Sequence, residues 1–269
     1  MTRKELLSEL KLSTYVALDF ETTGLDPKVD KIIEVAAIRF VDGEPKKSFS
    51  TLVNPEAHIS SFITKITGIS NDMVVSAPKE EEIVDDFLRI IDKYPLVAHN
   101  IRFDWNFLVE LCNRHNKDIP DNPQYDTLQL ARCVLFDHPV FNLGALSEFY
   151  GLDASGSHRA EKDTENCGNI LLPLLDELSE YSLEEISRII TVLDNYNIPN
   201  KKLFVDLGNA LLKRGDLKGS LREKSFSRTP RNNIYQHEGK NNIQNTTAEE
   251  VFSSGGILSK CYDWYEDRI

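Results

Sequence analysis

Residues 15–25 read YVALDFETTGL, and the fold turns on this stretch. Asp19 aside, Tyr15 to Phe20 is apolar on both faces of the strand it would form, so the strand belongs in the middle of a sheet. Thr22-Thr23-Gly24 then breaks it. Residues 32–41 (IIEVAAIRFV) read as a second strand, Asp42-Gly43 as a hairpin turn, and residues 47–53 (KSFSTLV) as a third strand ended by Asn54-Pro55. Links this short predict an antiparallel meander. Ser70 caps a short helix at 71–75, and residues 79–93 place Ile83, Phe87, Leu88 and Ile91 on one helical face, with Pro95 ending that helix. Residues 96–99 form a short buried strand. Residues 104–116, Tyr125 to Ala131 and Leu143 to Tyr150 are helical, the last closed by Gly151. One more helix spans 160–178, which Pro173 should kink or split. This order predicts an α/β architecture, a mixed sheet flanked by helices.

The chain of 269 residues is long enough to bury a core without metals or disulfides to staple it. Its formal net charge of −12 excludes a protein that coats nucleic acid by bulk electrostatics. The same charge is compatible with carboxylates gathered to hold cations. Cys112, Cys133, Cys167 and Cys261 show no C-x-x-C pairing and read as buried, reduced thiols. No apolar run approaches the length of a membrane span, and the N-terminal MTRKELLSELKLS lacks the apolar segment of a signal peptide. The expected location is cytoplasmic, with no membrane partner.

Composition changes near residue 180. Residues 1–180 carry the α/β pattern. Residues 181–213 read as a helical connector, opened by a Ser182–Glu185 capping box before Leu183, Ile186, Ile189, Ile190 and Leu193, with a turn at Asn197 to Asn200 and a helix over 201–213. Residues 214–247 read as a flexible linker, first basic and then rich in Asn and Gln. Residues 248–269 read as the start of a following module or a partner-binding tail. The extension is thus expected to be helical and partly disordered.

The candidate chemistry lies in three separated segments. Asp19 and Glu21, one residue apart at a strand end, share a face because side chains alternate with period two. Two adjacent carboxylates repel unless a divalent cation sits between them. Taken alone, acids at a strand end are more often turn formers. Asp104 opens a helix after a short buried strand, where the helix dipole alone could favour an acid. His158 precedes the helix that carries Asp163. Together Asp19, Glu21, Asp104 and Asp163 supply four hard oxygen donors suited to Mg²⁺ or Mn²⁺, and His158 supplies a side chain that accepts a proton near neutral pH. Four acids and one base suit two-metal phosphodiester hydrolysis.

These segments resemble the three motifs of the DEDDh, or DnaQ-like, 3′–5′ exonucleases. The first is VALDFETTGL, the second LVAHNIRFDWNFL and the third SHRAEKD, in the family's order, and the likeness covers about residues 14–178. The intervening ITKITGIS, YDTLQLAR and NLGALSEFYGL are also similar to family segments. The resemblance implies a ribonuclease-H-like fold and two bound ions. It implies that Asp19, Glu21 and Asp163 hold one ion, that Asp19 also reaches the other, that Asp104 supports the latter, and that His158 is the general base. It further implies an end-nucleotide pocket around Thr22, Thr23, Gly24 and Leu25, with Gly24 admitting the sugar, Leu25 and Phe103 packing on bases, and Thr67 and Asn100 contacting the terminal nucleotide. Of the neighbouring residues, Arg159 reads as a phosphate binder or a brace for Glu161 or Glu165, Asp126 as a helix cap and His99 as structural.

The expected partner is a nucleic-acid 3′ end, single-stranded DNA foremost. The terminal VFSSGGILSKCYDWYEDR is similar to the segment leading into the helicase core of exonuclease-fused DinG-type proteins, although no phosphate loop follows. A helicase core is therefore one expected partner, and a polymerase served by a proofreading subunit is another. An RNA or oligonucleotide exonuclease, or an inactive DnaQ-like binding module, are the alternatives. The inactive form is disfavoured because none of the five residues is missing.

Overall fold

The structure, a computed structural model, describes residues 1–135, 138–153, 159–193 and 198–213. The expected linker at 214–247 and the tail at 248–269 lie outside these residues, as do His158, Cys261 and Asn197. Five strands form one sheet in the order β3-β2-β1-β4-β5: β1 Thr14–Thr22, β2 Ile32–Val41, β3 Glu44–Leu52, β4 Leu96–Ala98 and β5 Gln124–Asp126. The first three make the predicted antiparallel meander. β4 pairs with β1 in parallel, and β5 with β4 in parallel, so β1 is central and the sheet is mixed.

Alternation along β1 divides the core. Val16, Leu18 and Phe20 face a cluster built with helices α4 (Glu80–Ile91) and α5 (Ile101–Arg114), through residues such as Phe87, Ile91, Phe107 and Leu111. Tyr15 and Ala17 face the other cluster, built with α1 (Arg3–Glu9), α6 (Thr127–Val134) and α8 (Ala160–Ser179). The helices between these elements are α2 (Ser61–Thr67), α3 (Asn71–Val74) and α7 (Leu143–Phe149). Two more, α9 (Leu183–Leu193) and α10 (Lys201–Lys213), bring Ile186, Leu203, Phe204, Leu207 and Leu211 into the same core as α1 and α8. Asn200, buried just before α10, accepts a hydrogen bond from the Asp126 N–H (2.8 Å) and donates one to the Asp126 carbonyl (2.9 Å).

Some local expectations change. Tyr125 and Asp126 belong to a strand, not to the start of a helix, because β5 is recruited by parallel pairing with β4. The helix containing Asp104 begins at Ile101. Pro173 does not split α8. The proline forfeits one backbone hydrogen bond. Leu171, Leu172, Leu174 and Leu175, buried on either side of it, hold the helix against the sheet. Ser182 and Glu185 form their reciprocal cap as read: the Glu185 N–H donates to Ser182 Oγ (3.2 Å) and the Ser182 N–H to Glu185 Oε2 (2.7 Å).

Helix α8 lies close on β1 and β2 because Gly168 has no side chain. The Tyr15 hydroxyl donates to the Gly168 carbonyl (2.9 Å), and a Cβ on Gly168 would stand 2.3 Å from the Phe40 ring. That ring is fully buried and stacked on Tyr15 at 5.0 Å, so it has nowhere to move. Alanine in place of glycine gains about 1 kcal/mol of helix propensity but incurs an overpacking cost of roughly 1–3 kcal/mol. Gly168→Ala is therefore expected to lower stability, and denaturant unfolding measures it. An unchanged or raised midpoint would contradict this packing.

Candidate active site

Asp19 and Glu21 occupy the carboxyl end of β1, on the sheet face that α8 covers, where open α/β sheets place their ligand sites. Asp163 lies in the first turn of α8. One carboxylate oxygen from each of Asp19, Glu21 and Asp163 falls within 4.8 Å of the others. Asp104 lies in the first turn of α5, the helix that follows the neighbouring strand β4; its Oδ1 accepts the N–H of Phe20 (3.1 Å), the residue between the two β1 acids. Three of the four expected acids thus meet directly, and the fourth is buried beside them.

The electrostatics carry the cost of this gathering. Burial, followed by the charges of Asp104, Glu21 and Asp163, holds the Asp19 carboxyl well above the usual carboxylate range. Burial and then Asp163 and Glu34 raise Glu21 to about 7, with Arg159 opposing. Burial raises Asp104 too, against the hydrogen bond from Phe20. Such acids resist ionising together unless a cation joins them. Converging hard oxygens at that spacing fit a divalent ion such as Mg²⁺ or Mn²⁺.

The pocket residues divide. Thr22, Thr23, Gly24 and Leu25 continue directly from Glu21. Thr22 Oγ1 donates to the Gly24 carbonyl (2.6 Å), Leu25 is 63% exposed, and Phe103 is half-buried against Phe107. Gly24 also leaves room for its own loop: a Cβ there would stand 2.5 Å from the Asp30 carboxylate. Asp30 closes the loop, accepting from the Asp26 N–H (2.8 Å) and from Thr23 Oγ1 (3.2 Å). Thr67 is buried, its hydroxyl donating to the Ile63 carbonyl and accepting from the Ile69 N–H. Asn100 has left-handed backbone (φ 74°) at the start of α5, and its N–H donates to Asp126 Oδ1 (3.2 Å). Asp126 is the cap of α6 it was read as, accepting from the N–H groups of Leu128 and Gln129.

His99 is structural. Its Nε2–H donates to the Phe141 carbonyl (2.8 Å), so Nδ1 is the acceptor from Thr127 Oγ1 (2.9 Å). Burial lowers its pKa from 6.5 to about 4. Between those values the unfolded chain binds a proton that the folded chain does not, so stability falls as pH drops from 6.5 towards 4, by up to about 3 kcal/mol. The wild-type melting temperature should therefore fall more steeply over that window than that of His99→Gln. Parallel curves would refute the assignment.

Sequence reading missed two braces. Arg114 grips Glu80 with two hydrogen bonds of 2.8 Å and donates to the Pro27 carbonyl (3.2 Å), tying α4 and α5 to the loop after β1. Arg159 braces neither Glu161 nor Glu165: it pairs with Glu34 of β2 at 2.9 Å. Glu34 is 2% exposed and stands opposite Glu21 in the β1–β2 register. Its one visible signal was an acid inside the apolar run IIEVAAIRFV.

The sheet order and the acids at the end of its central strand define a ribonuclease-H-like nuclease domain. The family model for the RNase T exonucleases matches residues 16–171, more than half of the chain. The chain belongs to that exonuclease family. It is 36% identical over 226 residues to a PolC-type DNA polymerase III of Caldanaerobacter subterraneus subsp. tengcongensis, covering 81% of this chain and 16% of that one. It is likewise 36% identical over 181 residues to the PolC-type polymerase of Latilactobacillus sakei subsp. sakei, covering 67% and 12%. The chain thus spans under a fifth of the length of these relatives. Among solved structures it is similar to exonuclease X in complex with 5′-overhanging duplex DNA, at a TM-score of 0.50 and 25% identity over 65% of this chain and 98% of that one. Escherichia coli exonuclease I with a dA16 oligonucleotide shares the fold, with a TM-score of 0.55 and 19% identity over 65% and 45%. Among the described residues no helix is long and apolar enough to cross a membrane.

Proposed function

We propose that this domain removes 5′-nucleoside monophosphates from DNA 3′ ends, single strands foremost, with Mg²⁺ or Mn²⁺ as cofactor. The observation that carries this reading is the meeting of Asp19, Glu21 and Asp163 within 4.8 Å at the end of β1. Asp19, Glu21 and Asp163 would hold one cation, and Asp19 with Asp104 would hold a second. When bound, the two ions supply Lewis acidity, making the attacking water a stronger acid and stabilising charge on the leaving 3′-oxygen. His158 takes the proton that the water gives up as its oxygen bonds to phosphorus. The bond from phosphorus to the 3′-oxygen breaks, and solvent returns a proton to that oxygen. Leu25, exposed four residues after Glu21, packs against the unstacked terminal bases in a way that tolerates any base. The DNA complexes of the structural relatives support DNA as the substrate.

The test uses the same single strand labelled at its 3′ or its 5′ end, with duplex DNA and RNA in parallel. The 3′ label should appear at once as mononucleotide, the 5′ label should persist on a shortening strand, and EDTA should stop both. Release of 5′-labelled mononucleotide from intact strands would overturn the polarity, and preferential cutting of RNA would overturn the substrate. A proofreading setting is favoured by one observation, the PolC-type similarity over 226 residues. It predicts fewer misincorporations when a replicative polymerase extends a primer with this chain present. The similarity of residues 251–268 to DinG-type proteins supports a helicase partner instead.

A further inference from the structure

The geometry points to Glu34 and Arg159 as a positioning pair that fixes Asp163 against Asp19 and Glu21. This rests on the reading that those three acids hold a cation. Glu34 projects from β2 onto the face covered by α8, directly across from Glu21. It is buried, yet it is not among the three carboxylates that converge. Among the described residues, its hydrogen-bond partners lie at the start of α8. Arg159 donates through Nη2 to Oε1 at 2.9 Å and through Nε to Oε1 and Oε2 at 3.3 and 3.4 Å. The N–H of Ala160, a donor in the first turn of α8 with no partner inside the helix, gives its hydrogen bond to Oε2 at 3.0 Å.

The link to the site is one helical turn. The Arg159 carbonyl accepts the N–H of Asp163 at 3.0 Å, the first such bond of α8. Glu34 holds Arg159 and Ala160, these fix the first turn, and the first turn aims Asp163. On the other side, β1–β2 pairing holds Glu34 opposite Glu21. One buried carboxylate therefore sets the spacing between a strand acid and a helix acid far apart in sequence. The pairing also explains why a buried acid persists in an otherwise apolar strand: it is matched by a guanidinium and a backbone donor.

Charge alone makes a contrary forecast. Arg159→Gln removes a positive charge beside an acidic site, which by Coulomb's law tightens cation binding, whereas Glu34→Gln removes a negative charge and weakens it. Positioning predicts that both weaken it. The experiment titrates Mn²⁺ alone into the wild-type chain, Glu34→Gln, Arg159→Gln and the double variant by calorimetry, and measures kcat and KM with single-stranded DNA. Each single variant should lose about tenfold in Mn²⁺ affinity, the scale for losing a partner that orients a ligand. It should also lose kcat more than KM, and the double variant should be no worse than the poorer single one. Arg159 is half exposed, so Arg159→Gln should keep the fold and can carry the test if buried Glu34→Gln does not. Opposite signs for the two variants, or no change in either, would overturn the pair while leaving the cation reading intact. A wild-type chain that takes up no Mn²⁺ would overturn both.

Discussion

Asp19→Ala should abolish Mg²⁺-dependent shortening of a 3′-end-labelled strand, with a loss of at least about a thousandfold, or roughly 4 kcal/mol of barrier. Asp19 is proposed to touch both cations, so its removal empties two sites. The neighbouring acids cannot substitute: Glu21 is fixed two residues on along β1, and Asp104 Oδ1 is engaged by the Phe20 N–H. The same variant should fold at least as well as the wild type without metal, because burial and the charges of Asp104, Glu21 and Asp163 all oppose ionisation of Asp19. Activity loss with an unchanged or raised melting temperature is thus the expected pair of results. Full activity in this variant would sink the proposed site, and loss of both activity and fold would contradict the electrostatic account.

His158→Ala should lower kcat about 10²- to 10⁴-fold while leaving Mn²⁺ affinity near the wild-type value, since a general base acts on the proton and not on the ion. The acid limb of the wild-type pH–rate profile, where histidine protonates, should flatten in the variant. Separate measurement of Mn²⁺ binding by calorimetry and of turnover by nucleotide release distinguishes this from Asp19→Ala, which removes both. A comparable drop in Mn²⁺ affinity would make His158 a ligand instead of a base.

The parts of the fold set by local pattern were legible. β1, β2 and the hairpin at Asp42-Gly43 followed from apolar runs and turn chemistry, and α10 from helical spacing. The four acids were legible because the resemblance supplied their order. β5 was not, since three residues beginning Gln-Tyr carry too little pattern to separate a strand from a helix start; only parallel pairing with β4 decides it. The closeness of Gly24 to Asp30 was hidden for a related reason: Asp30, which occupies the space a side chain would need, declares nothing in sequence about where it folds. Arg159 showed a guanidinium with two plausible acids nearby on its own helix, whereas its partner lies on β2. Glu34 and Arg114 share that difficulty, because a brace is defined by the distant group it reaches.

Helix α8 is at once a backbone of the core, through Leu171, Leu174 and Leu175, and the carrier of Asp163. β1 and its two acids are synthesised early, and α8 emerges from the ribosome far later. A chain in which α8 has not docked therefore lacks Asp163 beside Asp19 and Glu21. Burial of that helix's leucines and completion of the carboxylate cluster are thus one and the same docking event.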